Sequence, residues 1–145
     1  MFKRILLPID GSDQSLRAAA VGIDMATHSG ASAVGLEILS PLAAVSLASD
    51  FIVHANGGYA GKAVEHAKEH LASLATIARE ARVDFKDGYV FDHRPYTAIV
   101  AAANLSGCDL IVVGASEYAH GHRVQLSHEV VKLLGDAGVP VLVCH

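Results

Sequence analysis

The chain has 145 residues, 52% of them hydrophobic and 18% charged, with a net charge of -4; this suits one packed domain over residues 1–145 and excludes a disordered chain. Nine histidines are spread along the sequence without a basic cluster, so nothing marks a surface for nucleic-acid phosphates. No uncharged apolar run reaches the roughly 18 residues a membrane helix needs, so neither nucleic acid nor membrane is expected as a partner, and the chain reads as cytoplasmic.

Phe2 to Ile9 has a short apolar strand pattern. It includes a signal-like pair of positive charges, Lys3 and Arg4, but Pro8 and Asp10 break the apolar run at once. Asp10-Gly-Ser12 ends the strand, and Ser12 or Asp13 can cap a helix carrying Leu16, Ala19, Ala20, Ile23 and Ala26 at helical spacing, with Gly30 as its stop. Ala31 to Leu39 reads as a second strand, whereas Ser40 to Gly58 has little periodicity of either kind. Tyr59 to Ala81 forms a long amphipathic pattern, with alanines, Val64, Leu71, Leu74 and Ile77 on the apolar face. Val83 to Phe91 alternates like a half-exposed edge strand.

Pro95 suits the first turn of a third long helix, which runs through Ile99, Val100, Ala103 and Leu105 to Gly107. Asp109 to Val113 and Val139 to Cys144 are continuous β-branched runs, the pattern of parallel strands covered on both faces. The helix between them is expected from Val124 to Ala137, ended by Gly138. Cys108 and Cys144 each adjoin a predicted strand and read as reduced, buried thiols rather than a disulfide.

Strands alternating with helices require a parallel sheet with right-handed crossovers, the doubly wound α/β class. Ligands of such sheets bind beyond the carboxyl ends of the strands, where the strand order reverses. If the first strand is central, that crevice lies between Asp10-Gly11-Ser12 and the stretch beginning at Gly114.

Three segments now matter together: Lys3-Arg-Ile-Leu-Leu-Pro-Ile-Asp-Gly-Ser12, Ala101-Ala-Ala-Asn-Leu-Ser-Gly-Cys-Asp-Leu-Ile-Val-Val-Gly114 and Val139-Pro-Val-Leu-Val-Cys144. They resemble the universal stress protein family, over essentially the whole length and in the same element order. The resemblance implies an open five-stranded parallel sheet in the order 3-2-1-4-5 with helices on both faces, like that of the adenine nucleotide alpha hydrolases. It also implies a homodimer through the last strand, here Val139, Val141, Leu142 and Val143. The Val139 to Cys144 run is apolar on both faces yet would lie at a sheet edge, a liability that a symmetry mate covers.

The family has an ATP-binding branch and a branch that does not bind ATP. The resemblance implies a nucleotide site, altered or vestigial here, at Pro8, Asp10, Ile38, Gly114, Glu117, Ser127 and His128. Binders carry a loop of the form Gly-x-x-Gly, nine residues, then Gly-Ser or Gly-Thr. Laid from Gly114, the second glycine position falls on Glu117, the third on Ser127 and the hydroxyl on His128. The glycines of binders bring backbone N–H groups close to phosphate oxygens. A carboxylate about 4 Å from a phosphate charge would oppose it by roughly 4 kcal/mol at an effective dielectric of 20. Asp10 and Ile38 also have plain structural readings, as a turn or cap residue and as core.

The expectation is therefore a non-catalytic, dimeric stress-response or regulatory protein with weak or no ATP binding and no cofactor. The alternative is an ATP- or AMP-binding protein or nucleotide-gated switch that uses a rearranged histidine-rich loop, with His120, His122, Arg123 and His128 as anion contacts that strengthen below neutral pH. Two metal readings are weaker. His66-Ala-Lys-Glu-His70 matches an inverted zinc-peptidase pattern but also a solvated helix face, and His120-Gly-His122 with His128 could supply imidazoles to zinc, copper or nickel but holds no fixed ligand geometry. No nucleophile with a positioned base emerges. Weak nucleotide hydrolysis is the enzymatic alternative.

Overall fold

A computed structural model of the protein describes residues 1–41, 59–115 and 126–145. In chain order the elements are β1 (Arg4–Ile9), α1 (Asp13–Ser29), β2 (Ser32–Leu39), α2 (Tyr59–Glu80), β3 (Phe85–Phe91), α3 (Pro95–Ser106), β4 (Leu110–Gly114), α4 (His128–Asp136) and β5 (Val141–Cys144). The strands form one parallel sheet in the order β3-β2-β1-β4-β5.

The period-two alternation of β1 divides the core into two layers. Ile5, Leu7 and Ile9 join Ala19, Ile23, Leu71 and Leu74 beneath α1 and α2. Leu6 points to the opposite face, with Ile99, Ala103, Ile111, Val113, Val130 and Leu133 beneath α3 and α4. Each large side chain fully withdrawn from water contributes about 1.5–3 kcal/mol. β1, covered on both faces, is therefore the firmest part of the sheet, and its carboxyl end is a fixed platform for whatever follows it.

Local chemistry sets the helix ends. The Ser12 hydroxyl accepts from the Ser15 amide at the start of α1, and Gly30 closes the helix at φ 69°. Gly107 closes α3 at φ 64°, so both predicted glycine stops lie where a left-handed residue is needed. At the other end of the sheet the Asp109 carboxylate accepts the amides of Lys3 and Arg4 at 2.8–3.1 Å, tying the N-terminus to the start of β4. Burial pushes the Asp109 carboxyl upward, but those amides and the charge of Lys3 outweigh it and hold the group below its ordinary range.

Several expectations need correction. The last helix begins at His128, not Val124, because Ser127 is its N-cap, with its hydroxyl accepting from the Val130 amide; it ends at Asp136 with Ala137 as cap, one residue before the expected end at Ala137. Residues 124–125 lie outside the described residues. β5 starts at Val141, not Val139, and is half-buried rather than covered on both faces; its place at the sheet edge is the expected one. Ile77 and Leu105, placed by periodicity on buried faces, are 40% and 89% exposed. β3 is the other edge and is half-exposed, as its alternation predicts. Cys108 is buried, Cys144 partly so, and both are free thiols, with burial pushing each thiol up. Among the described residues, no helix is long and apolar enough to cross a membrane.

Candidate functional site

The sheet order reverses at β1, whose neighbours are β2 and β4. Beyond the carboxyl ends of these strands lies a crevice of about 230 Å³, a little below the roughly 300–1,000 Å³ of common ligand pockets. Pro8, Asp10, Ile38, Gly114 and Ser127 all line it, so five of the residues singled out from sequence meet at one place. His128, the first residue of α4, is exposed and lies outside the crevice lining. Glu117, His120, His122 and Arg123 lie outside the described residues.

The β1–α1 turn forms one lip. Gly11 adopts φ 82°, a conformation that suits glycine, and so brings Asp10 back toward the helix start. The Ser12 amide and hydroxyl donate to Asp10 Oδ1 at 2.9 and 2.6 Å. Burial raises the Asp10 carboxyl, but the Ser12 hydroxyl and amide prevail and leave it below the ordinary value. Asp10 is thus a turn residue, as its plain reading held, and at the same time an anionic wall of the crevice.

Gly114 ends β4 against the first turn of α1. A Cβ there would lie 2.9 Å from the Gln14 carbonyl oxygen and 3.2 Å from the Ser15 nitrogen, so packing alone demands a glycine at this position.

The opposite lip is made by the starts of two helices. Ser127 uses its hydroxyl to cap α4. Glu129, in the first turn of α4, lines the crevice and accepts the Tyr96 amide of α3 through Oε2 at 3.4 Å. Helix α3 has no side-chain cap of its own at Arg94, and Pro95 occupies its first turn. Sequence reasoning missed Glu129 because the family's loop pattern ends one residue earlier, at His128. Its signal was an acid in the first turn of a helix, a position favoured by the helix dipole.

A second missed feature lies on the other face of the sheet. Glu37, on the buried side of β2, is only 3% exposed. His70 Nδ1 of α2 donates to its two oxygens at 3.2 and 3.1 Å. The same imidazole lies against Gly11, since a Cβ on Gly11 would come within 2.9 Å of His70 Cε1. Burial raises the Glu37 carboxyl, with His70 pulling it down, Asp10 pushing it up and His66 pulling it down; the net direction is up.

The pattern His66-Ala-Lys-Glu-His70 is therefore divided. His66 and Glu69 are exposed, while His70 turns inward, contrary to a wholly solvated face. Among the described residues, no group of three histidine, cysteine or acidic side chains is arranged to hold a metal. The pair was legible only as an acid on the buried register of β2, which needs a partner; nothing local names that partner, 33 residues away.

At the β5 edge, Val139, Val141 and Val143 pack against the α3–α4 core layer. Leu142 remains 37% exposed.

The sequence profile described as "Universal stress protein family" matches residues 1–145. A universal stress protein of Thermus aquaticus, encoded in the 3′ region of a QAH/OAS sulfhydrylase, is 32% identical over 142 residues, covering 98% of each chain. A universal stress protein solved in complex with cAMP is 26% identical with a TM-score of 0.71, covering 99% of this chain and 97% of the other. The universal stress protein from Archaeoglobus fulgidus, 17% identical, shares the fold with a TM-score of 0.72 over 99% and 98% of the two chains.

Proposed function

The chain belongs to the universal stress protein family, and from that premise we propose that it is a non-catalytic, dimeric stress-response or regulatory protein with weak or no ATP binding. One observation carries this reading: the start of α4, where family binders present glycine backbone and a hydroxyl to phosphate, is closed by its own side chains. The Ser127 hydroxyl is engaged with the Val130 amide, and Glu129 lines the crevice with its carboxylate at the Tyr96 amide. A triphosphate entering there would meet a helix start already capped and an acid of its own sign.

Equilibrium dialysis with millimolar magnesium-ATP, together with mass spectrometry of ligand extracted from freshly purified protein, tests the proposal. The expected result is an empty site. Stoichiometric ATP in the purified protein overturns it.

A second reading has a specific support. The 26%-identical relative was solved with cAMP, an adenine nucleotide with a single phosphodiester charge. A crevice walled by Pro8, Ile38 and Val113 offers apolar surface for a base and needs less of a phosphate cradle for cAMP than for ATP. Saturable binding of cAMP by a protein that ignores ATP favours this reading; ATP and AMP binding that strengthens from pH 8 to pH 6 favours instead the histidine-rich loop as an anion contact.

The dimer is proposed through β5, an exposed sheet edge with unpaired backbone. Leu142 is the informative probe, because its side chain is already exposed in the single chain and a charge there leaves the core intact. Leu142→Lys is expected to shift the protein from dimer to monomer in light scattering without lowering its helix content. An unchanged dimer puts the interface elsewhere.

A further inference from the structure

The crevice carries a charge pattern that bears on what enters it. Asp10 lies on one lip and Glu129 on the other, and among the described lining residues there is no lysine or arginine. Lys132, one turn beyond Glu129, directs its ammonium to the Tyr96 ring, 5.1 Å from the centroid. The amide of Tyr96, which an incoming anion would otherwise find at the start of α3, is taken by Glu129. Ser127 takes that of Val130 in α4. Donors and dipoles that attract phosphate at helix starts are thus answered from within the chain, in part by a carboxylate.

We propose that Glu129 is a specificity-determining residue that makes the crevice select an uncharged nucleoside and reject its phosphorylated forms. The inference rests on the reading of this crevice as the ligand site and adds to it the class of ligand. The apolar walls Pro8, Ile38 and Val113 offer contact to a planar base, and the modest volume suits a ligand without a phosphate chain. Asp10, held as a carboxylate by Ser12, accepts hydroxyl donors readily and phosphate poorly. Glu129 supplies the discrimination: fixed beside the α3 start, it presents negative charge where a 5′-phosphate would seek amides, and a neutral sugar feels little of it.

The test compares adenosine and AMP by calorimetry on the wild-type chain and on Glu129→Gln. Glutamine keeps an oxygen for the Tyr96 amide and loses only the charge, and thermal melting checks that the fold is kept. The wild type is expected to bind adenosine more tightly than AMP. In E129Q the affinity for AMP is expected to rise about tenfold, equivalent to about 1.4 kcal/mol, with adenosine changed less than twofold.

A readout that needs no variant is the ratio of the two affinities in the wild type, which should narrow as salt rises and the repulsion is screened. Tighter binding of AMP than adenosine by the wild type overturns the proposal, as does an equal gain for both ligands in E129Q or a ratio indifferent to salt. If neither ligand binds either protein, the nucleoside assignment fails while the proposal of weak or absent ATP binding stands. Tight ATP binding by the wild type brings down both.

Discussion

His70→Ala is expected to cost about 3 kcal/mol of stability at neutral pH, because it leaves the buried Glu37 carboxylate without its hydrogen-bonding partner. Glu37 is 3% exposed and has His70 Nδ1 on both of its oxygens. The measurement is urea unfolding across pH. Burial sets the direction of the Glu37 shift, upward from the ordinary 4.5, with the hydrogen bond and charge of His70 restraining it. A carboxyl whose folded value is raised binds more protons folded than unfolded over the interval between the two values. Its contribution is then fully present below the unfolded value and is lost as pH rises through the folded one.

Removing His70 raises the folded value further. The penalty of H70A should therefore be small near pH 4 and grow as pH climbs past 4.5. Asp10 adds repulsion and His66 some attraction at the Glu37 carboxyl. The variant His70→Ala combined with Glu37→Gln should recover a large part of the loss at pH 7, since a neutral amide is far less costly to bury than a lone carboxylate. A single variant as stable as wild type at pH 7, or a double variant no better than the single, contradicts this account. The consequence reaches the crevice because His70 also lies against Gly11, and losing the imidazole leaves the turn that carries Asp10 less supported.

The pair shows what sequence reasoning reached and what it did not. Strand and helix order, the 3-2-1-4-5 sheet and the half-exposed β3 edge follow from patterns of period two and 3.6 and from local stops such as Gly30 and Gly107, all properties of neighbouring residues. The last helix was expected from Val124, and apolar periodicity cannot reveal that the Ser127 hydroxyl caps a helix whose first residue is His128. Leu105 fits a buried periodicity yet sits beyond the reach of the next layer. Sidedness along β5 depends on what covers a sheet edge, which lies outside the strand.

The crevice was legible where strand ends and turns define it, at Pro8, Asp10, Ile38, Gly114 and Ser127. It was not legible where distant helices complete it. Glu129 acts through the Tyr96 amide of another helix, and Glu37 through a histidine on α2. Both are acids whose role depends on partners 33 residues away.

Gly114→Ala should disturb both the fold and the crevice, by a route unlike that expected from the phosphate-loop pattern. In that pattern the glycine serves to let phosphate near the backbone, so a methyl group would hinder the ligand and leave the empty protein unharmed. Here the methyl meets the Gln14 carbonyl oxygen at 2.9 Å, its carbon at 3.1 Å and the Ser15 nitrogen at 3.2 Å. These are backbone atoms in the first turn of α1 and cannot rotate away as a side chain would. Relief requires α1 to move off the end of β4, and overpacking of this kind costs about 1–3 kcal/mol.

Gly61→Ala is the matched control. A Cβ there has nothing within 4 Å, and its place in α2 makes alanine neutral to slightly stabilising. In thermal melts G114A should fall by about 5 °C, taking roughly 2–4 °C per kcal/mol for a chain of this size, while G61A stays level or rises. Because Ser12 caps α1 and holds Asp10, displacing the helix start also shifts Asp10, and affinity for any crevice ligand should drop with stability. A G114A protein as stable as wild type that has lost only ligand binding would restore the phosphate-loop role of Gly114 and remove the packing role assigned to it.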